Sequence, residues 1–218
     1  MKQLKWVLCA LFIVAGVCSG EAFEYTFQNS LRESSGGPAL APFRDDPPGS
    51  FAFADVFGKA VMTYSISDEQ WGLSLEASSF IGRDYSIEVV FRPLDHSALR
   101  LVNFRGLADS LGLYVYPLGG GLAFVGRRGL SADTVAHTDK FNHAVFARSA
   151  RTGEVQGYLN GQLGFDLLDD EPISAVSTFY RNFVFFSNSG ASVALLRIYP
   201  HLLTRKEVRN LFLGLKSQ

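Results

Sequence analysis

Apolar positions along this chain come in short alternating runs, broken by Gly, Asn, Asp and Ser. Helical periodicity is nearly absent. Alternation puts every second side chain on one face of a pleated strand, so the pattern predicts an all-β sandwich or barrel. FEYTFQNSL (Phe23–Leu31) reads as an edge or closing strand, and KAVMTYSI and WGLSLEA as short strands. YSIEVVFRPL (Tyr85–Leu94) is a strong strand, followed by LRLVNFRG, LGLYVYPL and GLAFVGRR as a meander with tight turns. HAVFARSA is expected to pair with EVQGYLNG across Thr152-Gly153. NFVFFSN and SVALLRIYP come next, with a turn at Asn188–Gly190. RESSGGPALAPFRDDPPGSF (Arg32–Phe51), rich in Pro, Gly and Ser, reads as a packed but irregular loop.

Two stretches carry sharper signals. In GEVQGYLNGQLGF (Gly153–Phe165), Asn160-Gly161 marks a β-hairpin, because a type I′ turn needs φ > 0 at both central residues. Turn geometry demands that pair, so it is expected to be scaffold rather than site. In LTRKEVRNLFLGL, Thr204 can cap a short helix with Glu207 at the capping-box distance. Val208, Leu211 and Phe212 then form one apolar face. No linker-like run and no fixed-period repeat divides the chain, which reads as one domain.

The N-terminus breaks the β pattern. Two lysines in Met1–Lys5 precede the apolar run WVLCALFIVAGV and the small residues of CSGEA, the order of a secretory signal peptide over residues 1–22. The run is short of the ~20 residues a membrane span needs. Cleavage is expected after Ala22 or Gly20, and no span is expected afterwards. Cys18 would suit lipid attachment, but Val17 stands where a lipobox wants a small residue. Cys9 and Cys18 are the two cysteines, so cleavage leaves residues 23–218 with no disulfide, thiolate metal site or cysteine nucleophile. With no N-x-[ST] sequon either, a secreted, periplasmic or cell-envelope product of a bacterium is expected. A formal charge of −1 gives no basic footprint for nucleic acid. Nineteen Phe and eight Tyr suit pleated, half-buried surfaces.

Taken in order, YSIEVVFRPLD, RLVNFRGLADSLGLYVY, FNHAVFARSARTGEVQGYLNGQ and VALLRIYPHLLTRKEVRNL resemble the laminin-G-like branch of the concanavalin A-like lectin/glucanase superfamily. The resemblance rests on Ile87-Glu88 with Phe91, on Asp109 with Gly112-Leu113-Tyr114, and on Phe141-Asn142-His143 leading to Arg148. It continues through Tyr158–Gly161 to Arg197–Tyr199, Leu203-Thr204, Glu207-Val208 and Leu211. It spans Phe23 to Leu215 and is nearest to exported bacterial members with a single such domain. It implies a concanavalin A-like jelly-roll sandwich of two antiparallel sheets, one of them concave, with a short C-terminal helix capping its edge. It also implies carbohydrate or protein binding at cell surfaces, although some superfamily members are glycoside hydrolases.

Retaining glycanases of that superfamily place acids on alternate positions of one strand, which sets two carboxylates on one face ~5–5.5 Å apart. Here Glu88 and Glu76 each stand alone on a strand, and Asp169-Asp170-Glu171 reads as a loop. There is no G-x-S-x-G elbow. Of the histidines, His137 forms a superficial dyad with Asp139, and His143 belongs to strand packing. Calcium is the most sensible metal, held by loop oxygens. Asp109 is its first candidate, with Asp133, Asp139, Asp169 and Asp170 on other loops. An Asx turn before Gly112 is an equally natural role for Asp109.

Alternation also sorts candidate ligand residues. Tyr114 and Tyr116 lie opposite Leu113 and Val115. Gln156, Tyr158 and Asn160 lie opposite Val155, Gly157 and Leu159, and Leu195, Arg197 and Tyr199 share a face. Tyr114, Tyr116, Gln156, Tyr158 and Arg197 could together form a sugar-binding concave face. The competing reading is that the tyrosines are buried with their hydroxyls at the rim. Tyr180-Arg181-Asn182 is a second, rim candidate. The expected function is an exported, non-catalytic binding or adhesion module for glycan. A glycoside hydrolase, or a structural envelope or matrix protein binding another protein, stands as the alternative.

Overall fold

Two antiparallel sheets enclose one apolar layer, each contributing every second side chain to it. The computed structural model describes residues 22–44, 49–67, 71–78, 81–118, 121–125 and 134–217. The expected signal segment up to residue 21, both cysteines and Asp133 lie outside these residues. The strands are β1 (Phe23–Tyr25), β2 (Ala41–Pro42), β3 (Ser50–Val56), β4 (Lys59–Ile66), β5 (Leu73–Glu76), β6 (Tyr85–Pro93) and β7 (Leu99–Asn103). They continue with β8 (Gly112–Val115), β9 (Leu122–Val125), β10 (Asn142–Arg148), β11 (Glu154–Leu159), β12 (Gln162–Leu168), β13 (Asn182–Ser187) and β14 (Ala191–Tyr199). Helix α1 (Arg205–Ser217) ends the chain. The larger sheet runs β12-β11-β10-β6-β14-β4-β3, with β1 added against β14. The smaller runs β2-β5-β13-β7-β8-β9. This is the expected jelly-roll sandwich with a C-terminal helix.

Aromatic rings hold the layers together. Phe146 of β10 lies 5.7 Å from Phe124 of β9 and 5.0 Å from Phe104, and Tyr85 of β6 lies 5.8 Å from Phe183 of β13. All five are buried. Stacked and tilted pairs of this kind add to the burial of large apolar surface. Tyr85 donates its hydroxyl to the Ser174 carbonyl at 2.6 Å, so its polar tip is satisfied inside the core.

The hairpin read from Asn160-Gly161 forms as expected. Both residues have positive φ, 52° and 77°, as a type I′ turn requires, and Leu159 pairs with Gln162 across it. Gly157 is needed for a different reason: a Cβ there would sit 2.2 Å from the Phe165 ring, which lies across it from β12. The strand expected over Phe23–Leu31 stops at Tyr25. Phe27 and Asn29 take φ of 54° and 53°, which ends the extension, and the following backbone wraps round Glu33. The Glu33 carboxylate accepts N–H groups from Glu24, Ser35 and Gly37. The loop expected over 32–51 contains β2 and the start of β3, a strand that pairs with β4 along its whole length.

At the C-terminus the capping box forms. Thr204 N–H donates to Glu207 Oε2 at 2.7 Å and Glu207 N–H returns to Thr204 Oγ1 at 3.3 Å. The apolar face of α1 lies against the outer side of the larger sheet, where Val208 and Leu211 pack with Leu203, Val145 and Tyr158. Phe212 stacks on His143 with ring centroids 5.9 Å apart.

Candidate functional site

The residues expected on one ligand face are divided between the two sheets. Gln156, Tyr158 and Arg197 lie on the outer side of the larger sheet. Tyr158 is buried beneath α1 and donates its hydroxyl to Gln156 Oε1 at 2.7 Å, while Gln156 Nε2 donates to Asp166 at 2.9 Å. Arg197 donates to Glu24, and at 3.4 Å to Glu88. Glu88 has no exposed surface. Its other contacts are His143 Nε2 at 2.9 Å and the Tyr199 hydroxyl at 2.6 Å. Burial pushes the Glu88 carboxyl up, but its bonds to His143 and Tyr199 and the Arg197 charge hold it below the usual carboxylate range. Burial likewise pushes the Tyr199 hydroxyl up, helped by the carboxylate beside it. Glu88 therefore serves as the charge-balanced, buried centre of a network whose outer members, Arg197 and Glu24, are partly exposed, and Tyr158 as a buried tyrosine with its hydroxyl at the edge.

Tyr114 and Tyr116 lie on the smaller sheet, with rings stacked 6.1 Å apart. Tyr114 is buried. Its hydroxyl accepts from Arg100 Nε at 2.5 Å and donates to the Ser110 carbonyl at 2.6 Å, so the loop after β7 folds across the sheet and covers it. Asn103 fixes that loop by donating to the carbonyls of Asp109 and Leu111. Asp109 makes an Asx turn, accepting the Leu111 N–H at 3.0 Å, and pairs with Arg105 at 3.2 Å. A guanidinium and a backbone amide thus take its carboxylate, and its carbonyl is also engaged. This donor set does not fit a calcium ion at Asp109. Asp169 is spent similarly, on the N–H groups of Ile173 and Ser174. Among the described residues no three His, Cys, Asp or Glu side chains gather as a metal-holding group.

The second candidate, Tyr180-Arg181-Asn182, opens onto a cleft of about 490 Å³ at the rim of the smaller sheet. Phe43, Phe179 and Tyr180 give it aromatic walls, and Glu76, Arg105, Arg181 and Asn182 give it polar groups. Phe179 is 82% exposed and meets Tyr180 edge-on at 4.8 Å. The Arg105 guanidinium sits 5.4 Å from the Tyr180 ring centre and also donates to the Glu171 carbonyl, which holds ring and cation together. Arg181 pairs with Glu76 on β5. Beside Phe43, Arg44 lies 4.4 Å over the half-exposed Trp71 ring, extending the aromatic edge. Sequence reasoning found Tyr180, Arg181 and Asn182 in the FYRNF loop but missed Phe43, Trp71 and Arg105. The signal for the loop was STFYRNF, in which adjacent aromatics and an arginine follow small polar residues.

The two antiparallel sheets make the described chain a β-sandwich domain, with an aromatic, arginine-lined cleft at its rim. No protein-family model matches the chain, and no curated protein matches it in sequence. Among solved structures it is similar to domain 4 of AbnA, a GH43 extracellular arabinanase from Geobacillus stearothermophilus, in complex with arabinotriose. That match has a TM-score of 0.62 at 21% identity and covers 87% of this chain and 96% of that one. It is also similar to the binding domain of Paraclostridial Mosquitocidal Protein 1, with a TM-score of 0.61, 15% identity, and 87% and 51% of the two chains covered. A third match is botulinum neurotoxin type C, described as dependent for cell entry on two ganglioside molecules. It has a TM-score of 0.60, 11% identity, and coverage of 89% and 50%. The chain spans about half the length of the toxin chains it matches. No described helix is long and apolar enough to cross a membrane.

Proposed function

We propose that this chain is an exported, non-catalytic glycan-binding module with a laminin-G-like jelly roll, and that it binds at the rim cleft of the smaller sheet. The observation that carries the reading is the exposed Phe179–Tyr180 pair standing over Arg105, Arg181 and Glu76. Aromatic faces stack on the apolar faces of sugar rings, and planar charged groups beside them bond the hydroxyls. Support also comes from the solved neighbour held with arabinotriose. A non-catalytic role accords with the fate of three strand glutamates, Glu24, Glu76 and Glu88. Glu88 is fully buried, Glu24 is paired with Arg197 and Glu76 with Arg181.

A glycan array probed with the full chain, and with Phe179→Ala/Tyr180→Ala, tests the reading. Binding to at least one glycan class is expected, lost in the double variant. An array with no signal would sink the proposal. A chelator arm separates metal-dependent from metal-independent recognition, and unchanged binding in chelator is the expected result. Export is tested by sequencing the N-terminus of the protein recovered outside the cytoplasm, with Phe23 or Glu21 expected first.

A further inference from the structure

A second cleft, of about 800 Å³, opens at the end of the sandwich where α1 meets the larger sheet. It lies within the size range of small-molecule sites, ~300–1,000 Å³. Four elements meet there: the turn between β3 and β4, the β11–β12 hairpin turn, the segment before β10, and the last turns of α1. Its apolar wall is Phe57 and Phe212, an edge-to-face pair 6.2 Å apart with both rings partly exposed. The hairpin turn allows this wall to form. A Cβ at Gly161 would come within 2.9 Å of the Phe212 ring, so only glycine lets α1 approach so closely.

The charges around this wall do not balance. Arg92, Lys140 and Lys216 line the cleft, and none of them makes an ion pair among the described residues. Arg92 lies 5.3 Å from the Phe141 ring centre and Lys216 4.5 Å from that of Phe212, so aromatic faces position both. Against these cations stand Asp55, which already accepts the Gly58 N–H at 2.6 Å, and Asp139. The local surplus is positive in a chain whose formal charge is −1. Gln162, His137 and Asp139 are exposed at the same opening and supply neutral and anionic bonding groups.

We propose that this end cleft is a second binding site, and that its ligand is a saccharide bearing an anionic group, either a carboxylate or a sulfate. The anion lies among Arg92, Lys140 and Lys216. The ring lies against Phe57 and the exposed edge of Phe212, and ring hydroxyls bond Asp139 and Gln162. The proposal takes its ligand class from the glycan-binding reading but uses none of the rim residues.

The test is calorimetric titration of the full chain with trigalacturonate, its methyl ester and a sulfated disaccharide. The ester keeps the rings and removes the charge. At least one anionic probe is expected to bind, and for trigalacturonate the ester is expected to bind on the order of tenfold more weakly. Lys140→Gln/Lys216→Gln, at two exposed positions, is expected to weaken the anionic probe similarly and to flatten its salt dependence. Phe179→Ala/Tyr180→Ala is expected to leave that binding unchanged, even if the rim proves to bind no glycan at all. A stronger response to the sulfated probe supports the site and names its anion. The proposal is overturned if neither anion binds, if the ester matches the acid, or if the lysine variant binds as the parent does. It is equally overturned if the rim variant, rather than the lysine variant, abolishes binding.

Discussion

The outer sides of the two sheets use the same residue types in opposite ways. On the larger sheet, Tyr158, Tyr199, Arg197 and Glu88 lie on the outer side that carries α1, and the polar group of each finds a partner within the protein. On the rim of the smaller sheet, Tyr180, Arg105, Arg181 and Glu76 face a cleft that no described helix covers, with Phe179 82% exposed. The difference lies in what overlies each sheet. A tyrosine or arginine under a helix must spend its hydrogen bonds locally, because unpaired burial costs about 1–3 kcal/mol or more per group. At an open rim the same groups keep capacity for a ligand. Residue identity therefore says little about function until the covering layer is known.

Breaking the covered side should have the largest effect. Glu88→Ala removes the acid from a buried site and leaves Arg197 and His143 without it. A loss of about 3–5 kcal/mol is expected, seen as a Tm lower by roughly 10 °C for a chain of this size. Denaturant and thermal melts check this, and glycan binding at the rim should survive wherever the variant is folded. The same residue shapes the acid side of the stability curve. Its folded pKa is lowered, so its contribution is fully present above the ordinary value of 4.5 and fades as pH falls through the folded value. Stability measured against pH should therefore decline less steeply below about 4.5 in Glu88→Ala than in the parent. Glu33, also held below the usual range because its backbone amide bonds outweigh burial, retains its share of the decline.

Breaking the open side should do the reverse. Phe179→Ala/Tyr180→Ala is expected to change stability by less than about 1 kcal/mol, because neither ring is in the core. Glycan affinity should fall by roughly 10- to 100-fold, the equivalent of about 1.4–2.8 kcal/mol. A melt and a titration on one preparation decide between the two. Tyr114→Phe sharpens the comparison within the smaller sheet. It removes the hydroxyl bridging Arg100 and Ser110, so a stability loss of about 0.5–1.5 kcal/mol with unchanged affinity is expected. A change in affinity instead would move the ligand face from the rim onto the sheet. The smallest effect on folding is expected for Arg181→Ala. An ion pair this exposed contributes at most about 1 kcal/mol, and the loss should appear in binding rather than in the melt.

Much of the fold was legible because alternation and turn chemistry act locally. The β6, β10, β11 and β14 segments read as strands and are strands, and Asn160-Gly161 takes the predicted positive φ pair. The Thr204–Glu207 box and the apolar stripe of α1 were also readable, since capping and helical spacing involve residues three or four apart. Face assignments followed from period two. Leu113 and Val115 point into the core, opposite Tyr114, and Val155 and Leu159 do so opposite Tyr158. Less legible were short segments whose structure depends on a distant partner. β2 exists only because β5 pairs with it, and the break after Tyr25 depends on the backbone gathered by Glu33.

The site divided along the same line. Alternation determined that Tyr114 and Tyr116, and separately Gln156 and Tyr158, point away from the core. It could not determine that the two pairs belong to different sheets, because sheet membership is set by pairing between strands far apart in sequence. Nor could it show that α1 would pack over His143 and Tyr158, or that Phe43 and Arg105 would meet Tyr180. The sequence by itself determined the strands, the hairpin turn, the helix cap and the inward or outward sense of each side chain, because these depend on neighbours a few residues away. Only the tertiary structure decided which outward side chains were covered and which stayed open, because covering depends on how sheets, loops and the terminal helix stack in space.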